Sequence, residues 1–340
     1  MNIFEILYYS GCLIKKKFKL SNQKKLPVKV ISIGNITTGG TGKTPATIAL
    51  AEKAREKGFN PCILTRGYRG NIRGICFIST GDGPLLDVKM AGDEPFLMAQ
   101  YLKDIPIVRG INRYEAGIFA LNNLPDNKKP DLFILDDGFQ HWGLFRDKDI
   151  VLIDSKNPFG NNKLLPSGRL REPVSEIKRA DIIVITKTDS WRTNAVAGNI
   201  EKILITIKKY NLHAPVFYSR HEPLYFKNIN GDIYPLEWAA GKAFYGFCAV
   251  GNPGSFKETL ISIGANPKIF RTFQDHHNFT KTDIQNIIKE TKGNNIEWIV
   301  TTEKDIMKLK TFNLPENLLS LAIKFRIDDE FYTEVLGRYL

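Results

Sequence analysis

Residues 34–45 read GNITTGGTGKTP. Lys43 and Thr44 directly follow a glycine cluster, Gly39, Gly40 and Gly42, between an apolar run at 28–33 (VKVISI) and a helical pattern. A strand, a glycine-rich turn and a helix start in that order make a phosphate cradle. The free N–H groups and the dipole of the helix start attract an anion, and the glycines let the backbone approach it. In such a loop the lysine reaches the β- and γ-phosphates and the hydroxyl after it holds Mg²⁺. Thr38, Gly39, Gly40, Thr41, Gly42, Lys43 and Thr44 are therefore the candidate nucleotide-binding residues. One feature departs from the general G-x-x-x-x-G-K-[ST] pattern: its first glycine would fall at position 37, which is Thr37.

A phosphate loop needs a carboxylate for the metal. LFILDDGFQH (132–141) ends an apolar run in Asp136 and Asp137, which places them at the carboxyl edge of a sheet, where such sites lie. Two adjacent carboxylates repel each other unless a cation sits nearby. The plainer reading, a strand-end Asp-Gly turn, leaves Gln140-His141 unexplained. DIIVITKTD (181–189) ends in T-K-T-D, where GTPases often carry N-K-x-D with its Asp reading guanine. Thr186 replaces the Asn, so ATP is the expected nucleotide.

These residues need a framework. Continuous apolar runs at 28–33, 61–65, 105–108, 132–135, 150–153 and 182–185 alternate with helical patterns at 43–57, 93–102, 112–122 and 195–208. Runs without polar alternation mark strands buried on both faces, hence an α/β fold with a mostly parallel sheet and helices on both faces. Two extended segments flank Asn230-Gly231, a strong hairpin signal. Strands are again expected at 243–250, 268–273 and 297–302. The expected organisation is an N-terminal helix (1–25), a phosphate-loop domain (26–214), a two-stranded linker (215–237) and a smaller α/β domain (238–340) whose last helix returns to the large one.

Hydrophobic residues at 43% and charged residues at 25% exclude a disordered chain, and 48 basic against 36 acidic residues give +12, which favours an anionic partner. A nucleic acid is not that partner: no helix-turn-helix signature, RNP-like strand or zinc-finger spacing occurs. Cys12, Cys62, Cys76 and Cys248 stand alone and read as reduced structural thiols. In MNIFEILYYSGCLIKKKFKL, Phe4, Leu7, Tyr8 and Gly11 recur at helical spacing, and Lys15, Lys16, Lys17 and Lys19 follow. The segment lacks the leading positive charge and cleavage site of a secretory signal and is too short to span a bilayer. It suits either a membrane interface or a helix packed on the protein's own core.

Taken together, GNITTGGTGKTP, LTRGYRG (64–70), AGDEP (91–95), DDGFQH (136–141), LLPSGRLREP (164–173) and DHHNF (275–279) resemble, in this order, the tetraacyldisaccharide 4'-kinase (lipid A 4'-kinase) family. The resemblance covers roughly residues 3 to 310, and Thr37 fits this family's own loop. It implies transfer of the ATP γ-phosphate to the 4'-hydroxyl of a tetraacyl glucosamine disaccharide 1-phosphate, giving lipid IVA, at the cytoplasmic face of a bacterial inner membrane. ATP and Mg²⁺ are the implied cofactors. The acylated disaccharide phosphate and an anionic membrane surface are the implied partners, with no obligate protein partner. The first helix is then expected to dip into the bilayer.

By the same resemblance, Glu172 joins Thr44, Asp136 and Asp137 around the metal, and Arg171, with Arg169, faces phosphate. A solvated arginine-rich loop is the plainer alternative for the two arginines. Asp93 is the candidate base for the sugar hydroxyl, against a plain helix cap. His276 is its candidate partner, with His277 beside it as the alternative and Asp275 holding the tautomer; a capped helix start is the plainer reading. Placing His276 in the small domain would make domain closure part of catalysis. Arg66, Gln140 and His141 are expected to line the same cleft. The rival function is another phosphate-loop NTPase, a GTPase or metal-delivery ATPase, working with a protein partner.

Overall fold

The computed structural model of the chain describes residues 2–67, 70–188, 194–310 and 312–337. Asp189, which closes T-K-T-D, and Tyr68 and Arg69 of LTRGYRG lie outside the described residues. The chain divides into two compact units, Met1–His221 with Phe325–Leu340, and Glu222–Lys324.

The first unit opens with helix α1 (Ile3–Ser21), then strand β1 (Lys29–Gly34), α2 (Lys43–Glu56), β2 (Pro61–Thr65), β3 (Cys76–Ser79), α3 (Val88–Ala91), α4 (Asp93–Tyr101), β4 (Ile107–Arg109) and α5 (Arg113–Asn123). It continues through β5 (Leu132–Asp136), β6 (Lys148–Asp154), β7 (Ile182–Thr186), α6 (Asn194–Tyr210) and the start of β8 (Val216–Asn228). The strand order is β3-β4-β2-β5-β1-β6-β7-β8. Every pairing is parallel except β3 on β4, which is antiparallel. Parallel pairing follows from the apolar strands. Val151, Ile153, Ile183 and Ile185 pack on one face with Ile200 and Ile203 of α6. Cys62, Leu64, Phe133 and Leu135 pack on the other with Ala116 and Ala120 of α5. Each such Val, Leu, Ile or Phe side chain removed from water contributes about 1.5–3 kcal/mol.

The register sets the site. Ile33 pairs with Asp136 and Gly34 with Val151, so the loop after β1 emerges between the ends of β5 and β6. Asp154 pairs with Thr186, which brings the end of β7 to the same edge. Gly34 has to be glycine because an added Cβ would lie 2.5 Å from the Phe139 Cβ.

Helix α1 has two faces. Ile3, Leu7, Ile14 and Phe18, spaced 4, 7 and 4 apart, form one apolar stripe, each more than 60% exposed. The opposite face is docked: Glu5 is buried, and Tyr8 and Tyr9 pack against the α6-side core. Tyr8 therefore does not share a face with Leu7, as the spacing had suggested. No helix among the described residues is long and apolar enough to cross a membrane.

The second unit holds the rest of β8, β9 (Ile233–Pro235), β10 (Ala243–Cys248), α7 (Pro253–Ser262), β11 (Asn266–Thr272), α8 (Lys281–Gly293), β12 (Trp298–Thr302), α9 (Glu303–Leu309) and most of β13 (Leu318–Ile327). Its parallel strands run β11-β10-β12-β13, and β9 turns back on β8 through Gly231, whose φ is +98°. The last helix, α10 (Asp329–Leu336), belongs to the first unit, where Phe331 stacks edge-on to Phe217.

Candidate active site

The phosphate loop explains its own departure from the general pattern. Thr38 N–H donates to Arg169 O (2.7 Å) and Arg171 N–H donates to Ile36 O (2.8 Å), so 36–38 and 169–171 form a short antiparallel bridge. Extended backbone suits a threonine, and Thr37 is buried in the bridge. The left-handed turns come later, at Gly39 (φ +116°) and Gly42 (φ +88°), the residue that caps α2. Asn35 threads the loop: its Nδ2 donates to Thr41 Oγ1 (2.9 Å), and its Oδ1 accepts from Lys43 Nζ (3.3 Å). Thr44 is buried in the first turn of α2.

The charges gather where β5 ends. Lys43 Nζ lies 3.5 Å from Asp137 Oδ1, and Arg171 Nη1 donates to both Asp137 oxygens at 2.8 Å. Burial would raise the Asp137 carboxyl, but Lys43 and Arg171 outweigh it and hold it at about 2. Asp136 is the opposite case. Burial foremost, with Glu94 and Asp137 beside it, pushes its carboxyl up to about 7 against the pull of Lys43 and Arg113. Its Oδ2 accepts from Thr65 Oγ1 (3.2 Å), while its Oδ1 is buried with no partner. Arg113, buried at the start of α5, donates to Gly110 O (2.9 Å), and burial lowers it to about 10.

Glu172 stands in a second layer. Its Oε1 accepts from Gln140 Nε2 (2.9 Å) and its Oε2 from Arg179 Nη2 (2.6 Å). Gln140 Nε2 also donates to Asn35 O (2.8 Å), which ties Glu172 to the phosphate loop. Arg179 also donates to Glu176 (2.8 Å), which accepts from Lys16 of α1 (2.6 Å). Tyr8 of α1 donates its hydroxyl to Arg171 O (3.1 Å). Arg179→Ala would leave Glu172, 3% exposed, without its cation. We expect a loss of stability on the order of 3 kcal/mol at neutral pH by denaturant unfolding. Burial already raises Glu172, so the loss should shrink as pH falls toward about 4.3, where the unfolded carboxyl also protonates.

Asp93 opens α4 in its first turn, but Gly92 holds the cap position (φ +90°). The plain-cap alternative for Asp93 therefore does not describe this helix start. Its neighbour Glu94 acts electrostatically on Asp136, so the start of α4 faces the end of β5. His141 is largely buried beside Arg113 and Arg146, and burial foremost drives it down to about 3, so it is neutral.

The candidate histidines lie in the second unit. His277 is committed locally: Nε2 is 3.1 Å from Asp283 Oδ2, and its ring stacks on Phe273 at 4.9 Å. His276 has a left-handed backbone (φ +62°), with its Nε2 3.2 Å from Lys304 Nζ and 3.8 Å from Asp275 Oδ1. The cap of α8 is Thr280, with Asp283 completing a capping box, not Asp275 or Asn278.

Among the described residues, no three His, Cys, Asp or Glu side chains gather as a metal-binding group. The four expected metal residues are thus not one cluster: Glu172 is occupied by Arg179 and Gln140, and Asp137 by Lys43 and Arg171. Mg²⁺, however, binds through one or two carboxylates with phosphate oxygens and water. Thr44 and the unpartnered Asp136 oxygen could act as donors of that kind, and Asp137 could join them once Lys43 and Arg171 turn to phosphate. The sequence reading missed Asn35, Thr65, Arg113 and Arg179. Only Arg179 left a local trace, in its three- and seven-residue spacing from Glu176 and Glu172.

The chain is similar to known proteins along its whole length. A family model described as tetraacyldisaccharide-1-P 4'-kinase matches residues 1–340. The tetraacyldisaccharide 4'-kinase of Syntrophus aciditrophicus is 36% identical over 352 residues, covering 99% of this chain and 91% of that protein. The enzyme of the same name from Aquifex aeolicus is 34% identical over 307 residues, covering 90% and 86%. A crystal structure of LpxK from Aquifex aeolicus in complex with ATP matches with a TM-score of 0.75 at 30% identity, over 98% of this chain and 96% of that one. With its phosphate loop, its sheet-edge carboxylates and a match running the full length of the chain, the protein belongs to the tetraacyldisaccharide-1-P 4'-kinase family.

Proposed function

We propose that the chain transfers the γ-phosphate of ATP to the 4'-hydroxyl of a tetraacyl glucosamine disaccharide 1-phosphate, forming lipid IVA in lipid A biosynthesis. The observation that carries the lipid part of this reading is one hydrogen bond. Tyr8 of α1, the helix with the exposed apolar stripe, donates to the backbone of Arg171, whose side chain pairs with Asp137 beside Lys43. A phosphoryl-transfer site is thus attached directly to a surface suited to lipid.

The acceptor oxygen attacks the γ-phosphorus, the bond from that phosphorus to the bridging oxygen of ADP breaks, and the hydroxyl proton goes to the Asp93 carboxylate. Lys43 and Arg171, already poised at the loop mouth, neutralise charge that spreads over the phosphate oxygens. Thr44, Asp137 and Asp136 would hold Mg²⁺, which would supply further charge neutralisation. Glu172 would reach the metal only by giving up Arg179 or Gln140. Otherwise it orients Gln140 and, through it, the loop. His277 is engaged by Asp283 and Phe273 and His276 by Lys304 and Asp275, so the choice of His276 to tune the base rests on the family resemblance alone.

The test is direct: protein, ATP, Mg²⁺ and the acylated disaccharide 1-phosphate should yield a 4'-phosphorylated lipid. ATP hydrolysis without that product would overturn the kinase reading.

The location follows from α1. The stripe and the lysines at 15–19 suit the interface of an anionic, cytoplasm-facing bilayer. Leu7→Ser, Ile14→Ser and Phe18→Ser combined leave the docked face intact and remove apolar contact of about 1.5–3 kcal/mol per side chain. Flotation with anionic vesicles should show binding weakened at least about tenfold. Equal binding would return the helix to a purely structural role.

A further inference from the structure

The T-K-T stretch at the end of β7 is left over once nucleotide and acceptor are assigned. We infer that Thr186 and Lys187, with His221, form a template behind the phosphate loop, and that Lys187 is a positioning residue for ATP. Three successive loop residues are each met from behind. Lys187 Nζ donates to Gly40 O (2.6 Å), and Thr186 Oγ1 donates to Thr41 O (3.0 Å). At Gly42 an added Cβ would lie 2.9 Å from His221 Nε2, so the His221 ring fills the space behind that residue.

Lys187 is only 4% exposed, and a buried ammonium persists only when paired. Its partner is Asp154, at the end of β6, whose Oδ2 lies 2.5 Å away. The charge is spent inside the protein, which separates Lys187 from Lys43 at the loop mouth. Its backbone sits at φ +59°, a region costly for a residue with a Cβ. Ser155 Oγ holds it there by donating to Lys187 O (2.8 Å).

The function of this grip follows from peptide geometry. In a planar trans peptide the C=O and the next N–H point in opposite directions. Fixing Thr41 C=O toward Thr186 therefore turns the Gly42 N–H away from the sheet, at the start of α2, where anions bind. A loop free to flip that peptide would present a carbonyl oxygen to phosphate, which repels it. Thr41 N–H is meanwhile used within the loop, donating to Gly39 O (3.0 Å).

The inference rests on nucleotide phosphates binding at this loop and not on the identity of the acceptor. The experiment is equilibrium titration of the intact protein with ATP and with ADP, beside steady-state kinetics in acceptor. Thr186→Val keeps shape and loses the donor, whereas Thr186→Ser keeps the donor. We expect Thr186→Val and Lys187→Met each to weaken both nucleotides by roughly tenfold, with acceptor KM unchanged and Thr186→Ser within about twofold of the parent. A Thr186→Val protein with parental melting temperature and parental nucleotide affinity would overturn the proposal. Should Lys187→Met fail to fold, the Val/Ser pair still decides. A parent protein that binds ATP but phosphorylates no lipid would defeat the proposed function and leave this inference standing.

Discussion

Lys43→Ala is expected to abolish phosphoryl transfer, with turnover falling on the order of a thousandfold or more. Lys43 is nearly buried, and its ammonium already lies among Asn35 Oδ1 and Asp137 Oδ1 at the loop mouth. Preorganised charge of this kind costs no rearrangement when phosphate charge develops, which is why its removal is felt at the transition state. Lys43→Arg should not restore activity, because a planar fork does not replace a compact point charge in that space. Transfer of labelled phosphate to the lipid measures both variants, and near-parental turnover in Lys43→Ala would remove the residue from the mechanism. A stability effect accompanies the change. Asp137 is held at about 2 in the fold against ~3.9 unfolded, so its pairing stabilises the fold above about pH 4 and is lost as pH falls toward about 2. Lys43→Ala removes part of that contribution, so the stability gap from the parent should close in acid.

Asp93→Asn is expected to lower turnover by about 10² to 10⁴ with ATP affinity unchanged. Asparagine preserves shape at the first turn of α4, where Gly92 rather than Asp93 makes the cap, so the helix start should survive. What asparagine cannot do is accept the sugar hydroxyl proton. Unchanged turnover would remove Asp93 from the base role; loss of turnover together with ATP affinity would make it a nucleotide-site residue instead.

Much of the framework was legible in the chain. Continuous apolar runs announced β1, β2 and β4 to β7 as buried parallel strands, because burial on both faces erases polar alternation. The Asn-Gly pair announced the β8–β9 turn, because only a few residues adopt a left-handed backbone at low cost. The edge strand β3 and the strand β13 went unseen. CFIS is short and pairs antiparallel with β4, and LLSLAIKFRI reads equally as helix or strand until β12 lies beside it.

The chemistry divides along the same line. The sequence by itself determined that a glycine-rich loop and a helix start follow β1 and that two carboxylates end β5, since both follow from residues adjacent in the chain. Only the tertiary structure decided why Thr37 is tolerated: its bridge partner, Leu170, lies far along the chain. It also decided that Asp137 belongs to Lys43 and Arg171, that Glu172 belongs to Arg179 and Gln140, and that Lys187 grips Gly40 from 147 residues away. Local signals report the backbone conformations neighbouring residues prefer. Which side chains share a charge depends on strand order and register, and those are settled only when the whole sheet is assembled.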